Sequence, residues 1–216
     1  MNKVILTSAY LAPVQYYTKL YAAPRVIEER FDHYVKQTYR NRCLIAGPNG
    51  VQALTLPIEH TEILKPVTRD IRLSDHGNWR HLHLNALLSS YDKSPYFEYY
   101  ADDIRPFYEK RYDYLVDFNE GLRETVCDLL DLHPNIELTK SYADAEILGV
   151  DDFRENIRPK VDFSLDKSFF PVSYYQVFFQ RTGFLPNLSI LDLLFNMGPE
   201  SRLILRDSIV DLSQNS

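Results

Sequence analysis

Cysteine, glycine and long apolar runs are all scarce in this chain of 216 residues. The two thiols, Cys43 and Cys127, stand far apart without the CxxC spacing of a redox or zinc site, so a reduced intracellular protein is the economical reading. No apolar run approaches the roughly 20 residues that span a bilayer. The opening MNKVILTSAYLAPVQ has one lysine and a three-residue apolar run before Thr7 and Ser8, too short for the core of a signal peptide. A soluble, cytoplasmic protein with no membrane span is therefore expected. Positive charge is short as well: 24 basic residues against 30 acidic leave a formal net charge of -6 with no basic block, which argues against a nucleic-acid partner. Also missing are a P-loop, a GxGxxG after a strand, a GxSxG, an HExxH and the kinase set, and several large enzyme classes drop out with them.

Aromatic rings are what the chain has in quantity. Sixteen Tyr, 12 Phe and 12 Pro against 7 Gly suggest a core rich in rings whose hydroxyls need partners, or a cleft where rings stack on a substrate. The length fits one domain over residues 1–216, with the last residues after about 207 as a flexible tail. Such a chain buries roughly 70% of its unfolded surface, so no histidine or cysteine is needed as a staple.

The hydrophobic pattern predicts an α/β fold: a mostly parallel sheet, a hairpin and a helical C-terminal half. Val4-Ile5-Leu6 reads as a buried strand, Val14 to Ala23 as a helix stopped by Pro24, and Val26 to Arg30 as a second strand. Leu44-Ile45-Ala46, the turn cluster Gly47 to Gly50, and Gln52 to Ile58 read as a hairpin. Asn78 is placed to cap a helix carrying Trp79, Leu82, Ala86 and Leu87, and a second helix follows Ser94-Pro95 to about Arg111. Leu115, Phe118, Leu122, Val126 and Leu129 form an amphipathic stripe, and Ile136 to Leu138 a short strand. Ala143 to Phe170 reads as loop with a short helix. Asn187 or Ser189 caps the run Ile190 to Phe195, which Gly198-Pro199 stops, and this segment is too apolar for a free tail.

A local charge reversal is the best functional clue. From His33 to Ile58 there are Lys36, Arg40 and Arg42 and no acid until Glu59, inside a chain of net charge -6. If Lys36 to Arg42 is extended, period-two alternation puts Lys36, Thr38, Arg40 and Arg42 on one face and Gln37, Tyr39 and Asn41 on the other. Such a row can hold a phosphate or carboxylate, which arginine grips bidentately. The expected site is a concave anion wall of Lys36, Thr38, Tyr39, Arg40, Asn41 and Arg42, shared with the loop after the first strand through Tyr10 and Gln15. The plain alternative is a solvated face pairing with acids elsewhere. His83 or His33 is the candidate to move a proton, with a half-buried ring as the ordinary reading of His83. His76, His81 and His83 do not have zinc spacing, since His81 and His83 point roughly 200° apart on a helix, so no metal is expected.

The segments ILTSAYLAPVQYYTKL, KQTYRNRCLIAG with TLPIE, WRHLH, YDKSPYFEYY and the terminal GFLPNLSILDLLFNMGP together resemble the WbqC-like family. These are bacterial proteins often encoded with surface-polysaccharide genes. The resemblance implies that pathway context, and with the cation row and the polar aromatics it leads to the expectation of a group transferase acting on a small anionic substrate, a sugar nucleotide or an activated acyl donor, in bacterial surface-polysaccharide biosynthesis. The alternative it leaves open is a non-catalytic protein that binds an anionic glycan or a partner enzyme of that pathway. Neither cofactor nor oligomeric state follows from it. The opening strand, loop and helix are also similar in layout to nucleotidylyltransferases of the α/β-phosphodiesterase type, but Pro13-Val14-Gln15-Tyr16-Tyr17 lacks the histidines and glycine of their HxGH motif.

Overall fold

The computed structural model describes residues 2–210. The chain opens with β1 (Val4–Thr7), buried throughout, and a loop to Pro13, whose φ of -69° leads directly into α1 (Val14–Ala22). Ala23 is extended because Pro24 follows it, and β2 (Val26–Glu29) comes next, also buried along its length. The hairpin is β3 (Arg42–Gly47) and β4 (Gly50–Thr55), with Gly47 opposite Gly50. Gly50 takes φ +111°, which the tight turn requires and a side chain would resist. The second arm ends at Thr55, short of Ile58, with Leu56 N–H making a last in-register bond to the Asn41 carbonyl.

The helical part comprises α2 (Trp79–Tyr91), α3 (Phe97–Ile104), α4 (Pro106–Glu109) and α5 (Leu115–Leu129). Pro106 splits the single helix expected over this stretch into α3 and α4, since it has no N–H to continue the ladder. Asn78 precedes α2, but it sits at φ 47° and its side chain makes no capping bond. Leu82, expected on the core stripe of α2, is 58% exposed, because the buried face is set by Trp79, His83, Leu87, Ser90 and Tyr91. On α5 the stripe holds: Leu115, Phe118, Leu122 and Val126 are buried and Leu129 is partly so.

The rest of the chain adds β5 (Ile136–Leu138), α6 (Ala145–Leu148), β6 (Asp151–Asp152), α7 (Phe179–Thr182), α8 (Ile190–Met197) and α9 (Ser201–Asp207). Ser189, not Asn187, caps α8, its hydroxyl accepting from Leu191 N–H, and Gly198 ends it. Residues 187–190 thread between the first loop and the hairpin: Val14 N–H meets Leu188 O, Ser189 N–H meets Leu44 O, and Ile190 N–H meets Ala12 O. The flexible tail expected after about residue 207 does not begin there. Ser208 is fully buried, Phe170 N–H donates to Ser208 O, and Val210 N–H to Ser168 O; residues 211–216 lie outside the described residues.

Four parallel strands form the main sheet in the order β5-β2-β1-β6, with Val4 opposite Val26 and Asp151, and Val26 opposite Ile136. This is the α/β architecture: a parallel sheet, a separate antiparallel hairpin and helices in the C-terminal half. The connections through α1 and α5 step the same way across the sheet, so right-handed crossovers put both helices on one face. The return from β5 to β6 puts residues 139–150 on the other. Adjacent carboxylates report the two faces: Glu28 meets Arg123 of α5, while Glu29 accepts from Ala143 N–H. β6, unforeseen in a pair of aspartates, forms because Val4 and Ile5 leave an edge to be paired.

Candidate functional site

The expected cation row is not a strand. Lys36 to Asn41 fold as successive turns, with Gln37 at φ 60°, and the alternation of faces is lost. Burial then sorts the cations. Arg40 is 2% exposed and donates from Nη2 to one oxygen of Asp32, whose other oxygen accepts from Thr68 Oγ1 at 2.5 Å. Lys36 stays in solvent, and Arg42, partly exposed, donates Nε–H to Thr55 Oγ1 at 3.1 Å. A wall of three free cations is therefore not formed: one of the three is spent in the interior. A buried guanidinium without a carboxylate would cost several kcal/mol, so Asp32, eight residues upstream, decides where Arg40 goes.

Tyr10, Tyr39 and His83 meet in one buried network and Gln15 lies in another, while His33, Thr38 and Asn41 belong to neither. Tyr10 N–H donates to Tyr39 O at 2.8 Å, which does place the first loop against the turn segment. The Tyr10 hydroxyl lies 2.6 Å from that of Tyr108 and 3.0 Å from Nδ1 of His83. His83 is buried against Trp79, and burial pulls its pKa down to about 4, so the ring is neutral at physiological pH. It packs in the core. His33 is exposed, joined to Val67 by an isolated bridge of the main chain. Asn41 donates to Leu56 O at 3.0 Å, and Thr38 Oγ1 donates to Val35 O at 2.8 Å, both as turn-makers. Gln15 lies in the other network: it donates to Asp166 at 2.9 Å and exchanges bonds with Asn187, while the fully buried Lys19 reaches Asp166 at 2.6 Å and Ser168 at 2.7 Å. Burial lowers the Lys19 pKa, and Asp166 pulls it back up.

This second network sits where residues 153–170 cross the carboxyl ends of β1 and β6, the point at which the strand order reverses. Open α/β sheets usually bind ligands there. Here it is filled by the protein's own side chains. Among the described residues an open hollow lies one strand pair along, at the carboxyl ends of β2 and β5.

That cleft has a volume of about 570 Å³ and is lined by Arg30, Phe31, Arg69, Tyr114, Asp117 and Lys140, among others. Strand ends build it. Arg69 N–H donates to Arg30 O and Thr68 N–H to Asp32 O, each at 2.9 Å, and Thr139 N–H donates to Glu28 O at 3.1 Å. The Arg30 Nε is held by Glu28 at 2.8 Å. The Arg69 guanidinium lies 4.8 Å over the Phe31 ring, and that of Arg72 lies 4.8 Å over Tyr114. Around one opening thus stand Arg30, ion-paired with Glu28 and Glu120, Arg69, 3.1 Å from the Asp70 carboxylate, and Lys140, together with Asp117 and two rings. Lys140 is exposed and has no ion pair among the described residues. Arg40 has its place behind this wall, holding Asp32 and through it Thr68 beneath Arg69. Composition could not have found the cleft, because its cations come from three segments spread over more than a hundred residues of sequence.

Among the described residues, no three His, Cys, Asp or Glu side chains gather where a metal ion would need them, and no helix is long and apolar enough to cross a membrane. The model of the WbqC-like protein family matches residues 8–157, which takes in the Tyr10 network, the Arg40–Asp32 pair and every residue of the cleft. The chain belongs to the WbqC-like protein family. Among its relatives is the uncharacterized protein Rv1507c of Mycobacterium tuberculosis, 27% identical over 194 residues, which are 80% of this chain and 84% of the relative. No solved structure matches the chain. Of the WbqC-like segments, the terminal one (GFLPNLSILDLLFNMGP) lies beyond the matched range, yet its Leu188 to Ile190 are what clamp the first loop.

Proposed function

We propose that this WbqC-like protein is a group transferase that takes a small anionic substrate, a sugar nucleotide or an activated acyl donor, in the cleft at the carboxyl ends of β2 and β5. The biosynthesis of bacterial surface polysaccharide is the setting the family resemblance suggests. One observation carries the reading: Arg30, Arg69 and Lys140 converge beside the Phe31 and Tyr114 rings at an opening of about 570 Å³. An acidic protein repels anions at long range, so a local group of cations is needed to hold one. Arg69 and Lys140 neutralise the phosphate oxygens, Arg30 is pre-aimed by Glu28, and the rings give a planar base a surface to stack on. Of the two carboxylates at the opening Asp70 pairs with Arg69, and Asp117, in the first turn of α5, is the candidate to take a proton from an acceptor hydroxyl.

A second reading, a non-catalytic protein that binds an anionic glycan or a partner enzyme, draws on a different observation. His83 is buried and neutral, and the cleft holds no nucleophile paired with a base. A thermal-shift screen with nucleotide sugars, acyl-CoA and free nucleotides tests both. A ligand at 100 times its dissociation constant stabilises the fold by about 2.7 kcal/mol. Arg69→Ala and Lys140→Ala should each abolish the shift. If Lys36→Ala and Arg42→Ala abolish it instead, the substrate sits on the turn segment and the cleft assignment is wrong. Release of nucleoside diphosphate or free CoA on adding an acceptor separates the transferase from the binding protein.

A further inference from the structure

The two edges of the main sheet are treated differently by the chain. β6 has two residues, both aspartate, and Arg154 forks onto Asp152 beside it. Shortness and charge of this kind block a strand edge against further pairing. β5 is one residue longer, and its central Glu137 is paired with Arg25. It pairs only with β2 among the described residues, and Val26 N–H donates to Asn135 O at 2.8 Å while Thr139 N–H donates to Glu28 O at 3.1 Å. By strand alternation, the main-chain groups of Ile136 and Leu138 point away from the sheet.

Hollows flank this open edge on both faces. One of about 400 Å³ lies between β5 and α5, lined by Cys127, Leu132, Ile136 and Leu138 with Glu124 and Asp128 at its rim. The other, about 1130 Å³, lies on the opposite face against Ile27, Leu138, Ile147 and Leu148. Leu138 lines both. A strand added to a sheet edge sends successive side chains to opposite faces, so it needs a receptor hollow on each.

We propose that the β5 edge is a docking site for an extended segment of a partner protein, added to the sheet as a further strand, with basic residues facing α5 and apolar residues facing the Ile147 side. Charge selects this occupant. Asp117, Glu120, Glu124 and Asp128 recur at intervals of three and four, so they form one ridge along α5 beside the edge. Arg123, the buried cation within this ridge, is bonded to Glu28 and lies 3.7 Å from Glu120 and 3.9 Å from Glu124, while the Glu124 and Asp128 side chains are exposed and Asp128 has no ion pair among the described residues. A second copy pairing β5 to β5 about a two-fold axis normal to the sheet would set the two acidic ridges on the same face against each other. A segment with lysine or arginine at alternate positions meets complementary charge there. On the other face Ile147 is 84% exposed and offers an apolar contact.

The test uses the full chain and a fluorescein-labelled Val-Lys-Val-Lys-Val-Lys-Val amide, read by anisotropy. Saturable binding is expected, weakened at least tenfold when Glu replaces Lys in the peptide or when alternate peptide amides are N-methylated. Leu138→Pro should weaken it equally, since proline on an edge with its nitrogen turned outward leaves the β2 pairing intact. Glu124→Lys with Asp128→Lys, both at exposed positions, gives the same result if the proline variant fails to fold. Absence of saturable binding overturns the proposal. Equal binding of the glutamate or N-methylated peptide, or unchanged binding by the charge-reversed variant, overturns it too. A dimer of the protein alone in sedimentation that is lost in Leu138→Pro would assign the edge to a second copy and reject the partner segment.

Discussion

Asp192, in the first turn of α8, is a fully buried carboxylate with no ion-pair partner among the described residues. One oxygen accepts from the Tyr174 hydroxyl and from Gln176 Nε2, both at 2.7 Å, while the other has no partner among the described residues. Burial pushes its pKa from 3.8 up to about 6, with the bonds from Tyr174, Gln176 and Tyr91 opposing. Because the folded state holds the proton more tightly than the unfolded one, stability from this group is complete below pH 3.8 and lost as pH rises through about 6. A shift of about two units corresponds to ~3 kcal/mol. Asp192→Asn keeps the oxygen that Tyr174 and Gln176 need and removes the titration. Urea unfolding of both proteins at a series of pH values isolates the effect, since every other titration cancels in the difference. The stability of Asp192→Asn minus wild type should climb by ~3 kcal/mol between pH 4 and pH 8. Asp192→Leu, which strands both donors, should be destabilised with no acceptor restored at any pH. A difference between Asp192→Asn and wild type that stays flat with pH would refute the reasoning, whatever its constant offset.

His83 runs the other way. Its folded pKa of about 4 lies below the ordinary 6.5, so the unfolded state takes the proton first and stability drops as pH falls through that window. His83→Gln, which can still donate and accept, should remove ~3 kcal/mol of that acid-side loss in the same urea series. Arg40→Met leaves Asp32 without its cation inside the fold and should cost about 3–5 kcal/mol; adding Asp32→Asn should recover part of it, and equal unfolding midpoints for the single and double variants would show that the pair is not coupled. Gly198 sits at φ +53° with the Tyr96 ring 2.5 Å from where a Cβ would be, whereas Gly149, at φ +61°, has open space there. Gly198→Ala should therefore lower stability by roughly 2–3 kcal/mol and Gly149→Ala by only about 1 kcal/mol, as calorimetry would read.

Elements whose cause is local were legible in the sequence. Val4 to Leu6, the Gly47 to Gly50 turn, the α5 stripe and the start of α8 all follow from periodicity, turn chemistry or a cap within a few residues, and the structure has each of them. The α/β class follows from their order. What the sequence could not specify is how distant charges pair. Lys36 to Arg42 has the alternation of a strand, but Asp32 draws Arg40 inward and the segment folds into turns instead. β6 exists because β1 offers an open edge, not because two aspartates favour a strand. The cleft is the clearest case: Arg30 and Arg69 are brought to Lys140 by the parallel pairing of β2 with β5 and by hydrogen bonds at the strand ends. A side chain's own neighbours set its backbone preference. Whether its charge is spent in the interior or left facing an opening depends on which partner the fold carries to it, and for this chain the tertiary structure alone made that choice.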